Sequence, residues 1–91
     1  MTREEIEQSF VEAGWELDGG FSGHLVVGEA SDSDVSILAH RRVWEAKEPV
    51  FELSDTERNL TYWVNVIPTP RQATELLAEH GRPIEEEWDN T

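Results

Sequence analysis

From Thr2 to Ala13 the apolar residues Ile6, Phe10 and Ala13 recur at helical spacing, with Val11 at the edge of their stripe. Thr2 stands where a helix N-cap belongs, and Glu5 three residues later completes a capping box. Glu4 and Glu5 suit the positive end of the helix dipole, and Gly14 is a natural C-terminal stop.

Beyond Gly14 the period shortens to two. Asp18-Gly19-Gly20 is a hairpin signal, which predicts a short strand over 15–17 and a longer one over 22–30. Ser31 to Asp34 reads as a turn. The β-branched and apolar run 35–44 predicts a strand with Val35, Ile37, Ala39 and Val43 on one face and Leu38, His40, Arg42 and Trp44 on the other. Pro49 bars a central strand in the loop that follows. Residues 50–54 predict another strand, then a polar turn through Asp55–Asn59 and a strand over 60–67. In that last strand Leu60, Tyr62, Val64 and Val66 share one face, and Thr61, Trp63, Asn65 and Ile67 share the other.

The helical period returns after Pro68. Thr69 as N-cap, Pro70 at the first helical position and Gln72 form a second capping box, and Ala73, Leu76, Leu77 and His80 make the apolar stripe. Gly81 stops this helix and Pro83 confirms the stop. The order helix, about five strands, helix predicts an α+β fold. It is a two-layer sandwich, an antiparallel sheet with the N-terminal and C-terminal helices on one face. Residues 1–83 form a single domain and 84–91 an acidic C-terminal tail, in which Ile84 and Trp88 are the apolar members.

Two helices on one face leave the other open. If Tyr62 faces the helices, adjacent Trp63 points away from them. The outer face then collects Val26, Leu38, Trp44, Trp63 and Ile67, with His24 and His40 among them. Such a patch marks an interface when it stays contiguous, although a twisted sheet can scatter its apolar side chains harmlessly. The tail could cover it by docking Ile84 and Trp88, a second copy could form a sheet-to-sheet dimer, or a partner could bind.

Charge narrows the partners. Twenty Asp and Glu face seven Lys and Arg, for a net of −13. A chain this acidic repels nucleic-acid phosphates and anionic membranes, so direct nucleic-acid binding and membrane association are not expected. The charged opening stretch reads as a helix rather than a signal peptide, no apolar run is long enough to span a bilayer, and cysteine is absent, so a reducing cytoplasm is the expectation. The acidity has three readings: adaptation to salty solvent, a surface for a basic partner, or plain solubility. Residues 1–45 hold ten of the acids and 46–91 the other ten, and this even spread favours solvation.

Motifs for chemistry are sparse. His24 and His40 lie on strands with the same expected orientation, and Glu29 or Glu52 alongside would make a facial metal site. That ligand set is incomplete, and no metal or other cofactor is expected. Residues 40–47 hold three of the seven cations, but alternation sends Arg41 and Arg42 to opposite faces, so they serve better to neutralise nearby acids than to bind one anion. No nucleophile elbow and no phosphate loop occur, and no catalytic residue is assigned. The resulting expectation is a non-enzymatic protein-interaction domain, cytoplasmic and suited to high salt, binding through Trp44, Trp63, Leu38, His40, Ile67 and Trp88. The alternatives are an inhibitor or immunity-type protein that blocks a basic enzyme or nucleic-acid-binding site, and a small metal or ligand enzyme using His24 and His40.

Overall fold

The structure, a computed structural model, describes residues 2–18, 25–40 and 49–84. Helix α1 spans Arg3–Ala13 and helix α2 spans Pro70–His80. Six strands, β1 (Glu16–Leu17), β2 (Leu25–Glu29), β3 (Val35–His40), β4 (Phe51–Asp55), β5 (Leu60–Val64) and β6 (Arg82–Pro83), form one sheet in sequence order, every neighbouring pair antiparallel. The fold is α+β, with one strand more than the pattern of apolar residues predicts.

Both predicted capping boxes form. The Glu5 N–H donates to Thr2 Oγ1 at 3.2 Å and the Thr2 N–H to Glu5 Oε1 at 3.1 Å, while the Thr69–Gln72 pair repeats the exchange at 3.1 and 3.0 Å. Each box satisfies two N–H groups that the first helical turn leaves without partners. Gly14 closes α1 in the left-handed region at φ 104°, where a side chain would be strained, and the Trp15 N–H returns to Phe10 O at 3.0 Å.

One cluster holds the fold together. Ile6 and Phe10 of α1 and Ala73 and Leu77 of α2 pack with Val26, Val35, Ile37, Ala39, Phe51 and Leu53 from alternate strand positions, all of them buried. These strand residues share one face of the sheet, as pairings such as Val26 with Ala39 and Ile37 with Leu53 require. Phe10 and Phe51 meet edge to face, ring centres 5.9 Å apart. Gly28 sits opposite Ile37 in this layer, and a Cβ there would lie 2.9 Å from Trp15 Cβ and 3.0 Å from Ile37 Cγ2. Glycine therefore lets α1 and Trp15 close down on the sheet. The buried Trp15 indole donates to Pro68 O at 2.8 Å, which ties the end of α1 to the approach to α2.

Three expectations need correction. Val26 faces the core rather than the outer face. The turn at 31–34 pairs Glu29 with Ser36 and lets the Ala30 N–H bond to Val35 O, so even-numbered positions of β2 share the inward parity of Val35. Strand β5 ends at Val64 rather than residue 67, because Asn65 and Val66 bend away from the ladder. Ile67 consequently packs against the core cluster, and Val66 is 68% exposed. Finally, residues 82–83 pair with β5 as a sixth strand, and the Ile84 N–H continues that contact to Asn59 O at 3.0 Å.

Candidate functional site: the outer sheet face

The face opposite the core cluster carries two neighbouring rows of side chains. The first crosses all six strands through Glu16, Glu29, Ser36, Ser54, Thr61 and Arg82. Polar side chains here reinforce the ladder. Ser36 and Ser54 share a hydroxyl hydrogen bond of 2.9 Å, and Thr61 Oγ1 donates toward Leu53 O at 3.1 Å and Glu52 Oε1 at 3.3 Å. The second row runs Val27, Leu38, Glu52 and Trp63. Beyond it, Leu25 opposes His40.

Exposure along these rows is uneven. Val27 and Thr61 are buried at 7% and 2%, Leu25 and Leu38 are half-buried, His40 is exposed and Trp63 is 45% exposed. Among the described residues, the accessible apolar part of this face centres on the Trp63 indole, with a carboxylate directly across from it on β4.

Tyr62 and Trp63 separate as their adjacency on a strand requires. Tyr62 packs against the core and stacks on His80 of α2, ring centres 5.5 Å apart at 28°, whereas Trp63 takes the opposite side. Leu38, His40 and Trp63 therefore share the outer face. Ile67 does not join them. Trp44, Trp88, His24, Arg41 and Arg42 lie outside the described residues.

Val27, and Glu52 as a neighbour of Trp63, are members of this face that alternation along single strands does not reveal. Pairing Leu38 with Glu52 and Glu52 with Trp63 places that carboxylate between the two apolar side chains. The signal for Val27 lies in the length of the 31–34 turn, and that for the Glu52–Trp63 pair in the length of the 56–59 turn, because each turn sets the register of its hairpin.

Among the described residues charge is dispersed: acids stand on α1, α2, the 31–34 and 56–59 turns and the outer sheet face, with Asp18 after β1 and Asp55 at the end of β4. Asp55 alone among them is buried, and its role is structural. Its Oδ1 accepts from the Glu57 and Arg58 N–H groups at 3.0 and 3.1 Å and holds the β4–β5 turn. Among the described residues no group of three His, Asp or Glu side chains could hold a metal ion, and no helix is long and apolar enough to cross a membrane. No family model matches the chain, and no curated protein or solved structure shows significant similarity to it.

Proposed function

We propose that this chain is a small, non-enzymatic protein-interaction domain that binds its partner through the outer sheet face. In this reading the fold is a two-layer sandwich whose helices cover one face and leave the other for recognition. The carrying observation is Trp63: a large indole 45% exposed, in register with Leu38 and Glu52 on the side away from the core. Trp supplies much of the binding energy where a partner excludes water from it. The dispersal of acids over both helices, the turns and the sheet supports solvation as their main role, rather than a single acidic face built to block a basic site.

Retention of proteins from the native lysate by wild type and by Trp63→Ser, at native salt, tests the binding face. The proposal expects a species held by wild type and lost by the variant, with unchanged circular dichroism. Identical retention by both would remove Trp63 from the interface. Sedimentation separates a second copy from a foreign partner: a wild-type mass twice that of the variant assigns the face to a homodimer.

The same reading makes a solvent prediction. Seven cationic side chains cannot neutralise twenty carboxylates, so the native state carries self-repulsion that salt screens. Unfolding free energy should rise with molar KCl. A flat or falling response would remove the salt-adapted character.

A further inference from the structure

A second surface, independent of the sheet face, lies along α2. This helix carries two stripes. Ala73 and Leu77 are buried in the core. Gln72, Glu75, Leu76 and Glu79, spaced i, i+3, i+4 and i+7, line one side of a groove of about 330 Å³ whose other side is Val66, Ile67 and Pro68. Val66 is 68% exposed, the most exposed large apolar side chain among the described residues, because the bend at Asn65 and Val66 carries it out of β5.

The groove thus joins apolar contacts from Val66, Pro68 and Leu76 to two carboxylates one helical turn apart. Its composition selects an occupant. A segment as acidic as residues 85–91 of this chain, or a second copy carrying −13, would bring carboxylates to carboxylates. A cationic segment with an apolar anchor satisfies both elements. Its spacing follows from geometry. Glu75 and Glu79 are separated by about 6 Å of helix rise, close to the roughly 6.6 Å between alternate residues of an extended chain. The stretch from Gln72 to Glu79 is about 10 Å long, room for about three extended residues.

We propose that this groove binds an extended basic–apolar–basic segment of another protein. The two cations meet Glu75 and Glu79, and the apolar side chain between them points to Val66 and Pro68. Both carboxylates already have weak local partners: Arg71 Nε lies 3.7 Å from Glu75 Oε1 and His80 Nε2 lies 3.7 Å from Glu79 Oε2. These side chains are mostly exposed, so an incoming cation displaces such pairs at little cost.

The proposal is tested by titrating the isotope-labelled full chain with a blocked Lys-Leu-Lys peptide and following amide resonances, with Lys-Gly-Lys and Glu-Leu-Glu as controls. Shifts should concentrate on Val66, Leu76 and Glu79. Lys-Gly-Lys should bind at least about tenfold more weakly, since it lacks the buried side chain. Val66→Ser and the double variant Glu75→Gln/Glu79→Gln should each weaken Lys-Leu-Lys binding about tenfold. Both change exposed positions, and the variant spectra verify that the fold persists. Equal binding of Lys-Leu-Lys and Lys-Gly-Lys, or shifts spread over all acidic surfaces, would reduce the groove to nonspecific charge attraction and overturn the proposal. Shifts centred on Trp63 would overturn it too, while leaving the sheet-face reading intact.

Discussion

The two faces of this sheet share strands, backbone bonds and register, yet they are made by different physics. Toward the helices, the row Gly28, Ile37, Leu53 and Tyr62 is set by volume: each position is apolar or absent, and Phe10 and Leu77 close over the layer. Away from them, Glu29, Ser36, Ser54 and Thr61 occupy the adjacent row, where hydroxyl hydrogen bonds tie the strands. A slip of one residue would exchange the two sets, burying carboxylates and exposing the core, so register is strongly specified. The inner face is thus fixed by packing volume, whereas the described outer rows mix buried positions such as Val27 and Thr61 with exposed ones such as Glu29 and Trp63.

The widest separation between the faces comes from truncating one aromatic side chain on each. Phe10→Ala empties a fully buried site against Phe51 and should cost about 3–5 kcal/mol. In a domain of this size each kcal/mol lowers the melting temperature by roughly 4–8 °C. Trp63→Ser should cost about 1–2 kcal/mol, since the indole is 45% exposed and buries only part of its apolar surface. Urea denaturation of both variants measures the contrast. Comparable losses would break it, and would place Trp63 in the structural core.

Overpacking probes the inner face from the other direction. A methyl at Gly28 would meet Trp15 Cβ at 2.9 Å, Ile37 Cγ2 at 3.0 Å and Phe10 Cδ2 at 3.2 Å. Gly28→Ala should therefore destabilise by about 1–3 kcal/mol, although alanine is the smallest possible addition. Ser36→Ala, one row away on the outer face, removes one side of the 2.9 Å hydroxyl bond to Ser54 and should cost about 0.5–1 kcal/mol. Thermal melts that rank the two in the reverse order would show that the inner layer has slack to give.

Much of the inner face is legible in the sequence, and the reasons the rest is not are specific. Both helices announce themselves through capping boxes and a 3.6-residue period, and Val35, Ile37 and Ala39 alternate cleanly with Ser36, Leu38 and His40. Tyr62 and Trp63 separate by simple adjacency. Strand β2 defeats the same logic, because Val26 and Val27 are both apolar, both are buried and their neighbour Gly28 has no side chain to report a face. Only the hairpin register, set by the 31–34 turn, distinguishes them. Ile67 escapes the alternating pattern because the backbone leaves the ladder after Val64. Strand β6 has two residues, one of them proline, and leaves no periodic trace. On the outer face, the position of Glu52 beside Trp63 stays hidden because cross-strand neighbours are visible only once register is known.

If the outer face stabilises through hydrogen bonds, Thr61 is its most informative position. Thr61→Val keeps the shape but removes the donor to Leu53 O from a side chain that is 2% exposed. A loss of about 1 kcal/mol is expected, well below Phe10→Ala. Amide hydrogen exchange should localise the change to β4 and β5. A neutral or stabilising result would mean that apolar packing governs this part of the outer face as well.

The smallest expected effect concerns how α1 is anchored at its start, before it reaches the inner face at Ile6. The Glu5 carboxyl is held below its ordinary value of 4.5, chiefly by the hydrogen bond from the Thr2 backbone, with a further contribution from the Thr2 side chain. The folded chain therefore holds this proton less tightly than the unfolded chain. Its contribution to stability is complete above the ordinary value and is lost as pH falls through the lowered one. The rest of the surface pushes the other way, because acidification relieves the repulsion within a chain of net charge −13. Only a difference between variants isolates Glu5. Glu5→Gln keeps an acceptor for the Thr2 N–H but cannot titrate, so wild type should be slightly more stable at neutral pH and the gap should close as pH falls through and below 4.5. Thermal melts of the two proteins across that range measure the gap. A difference independent of pH would show that the charge on Glu5 contributes nothing to the first turn of α1.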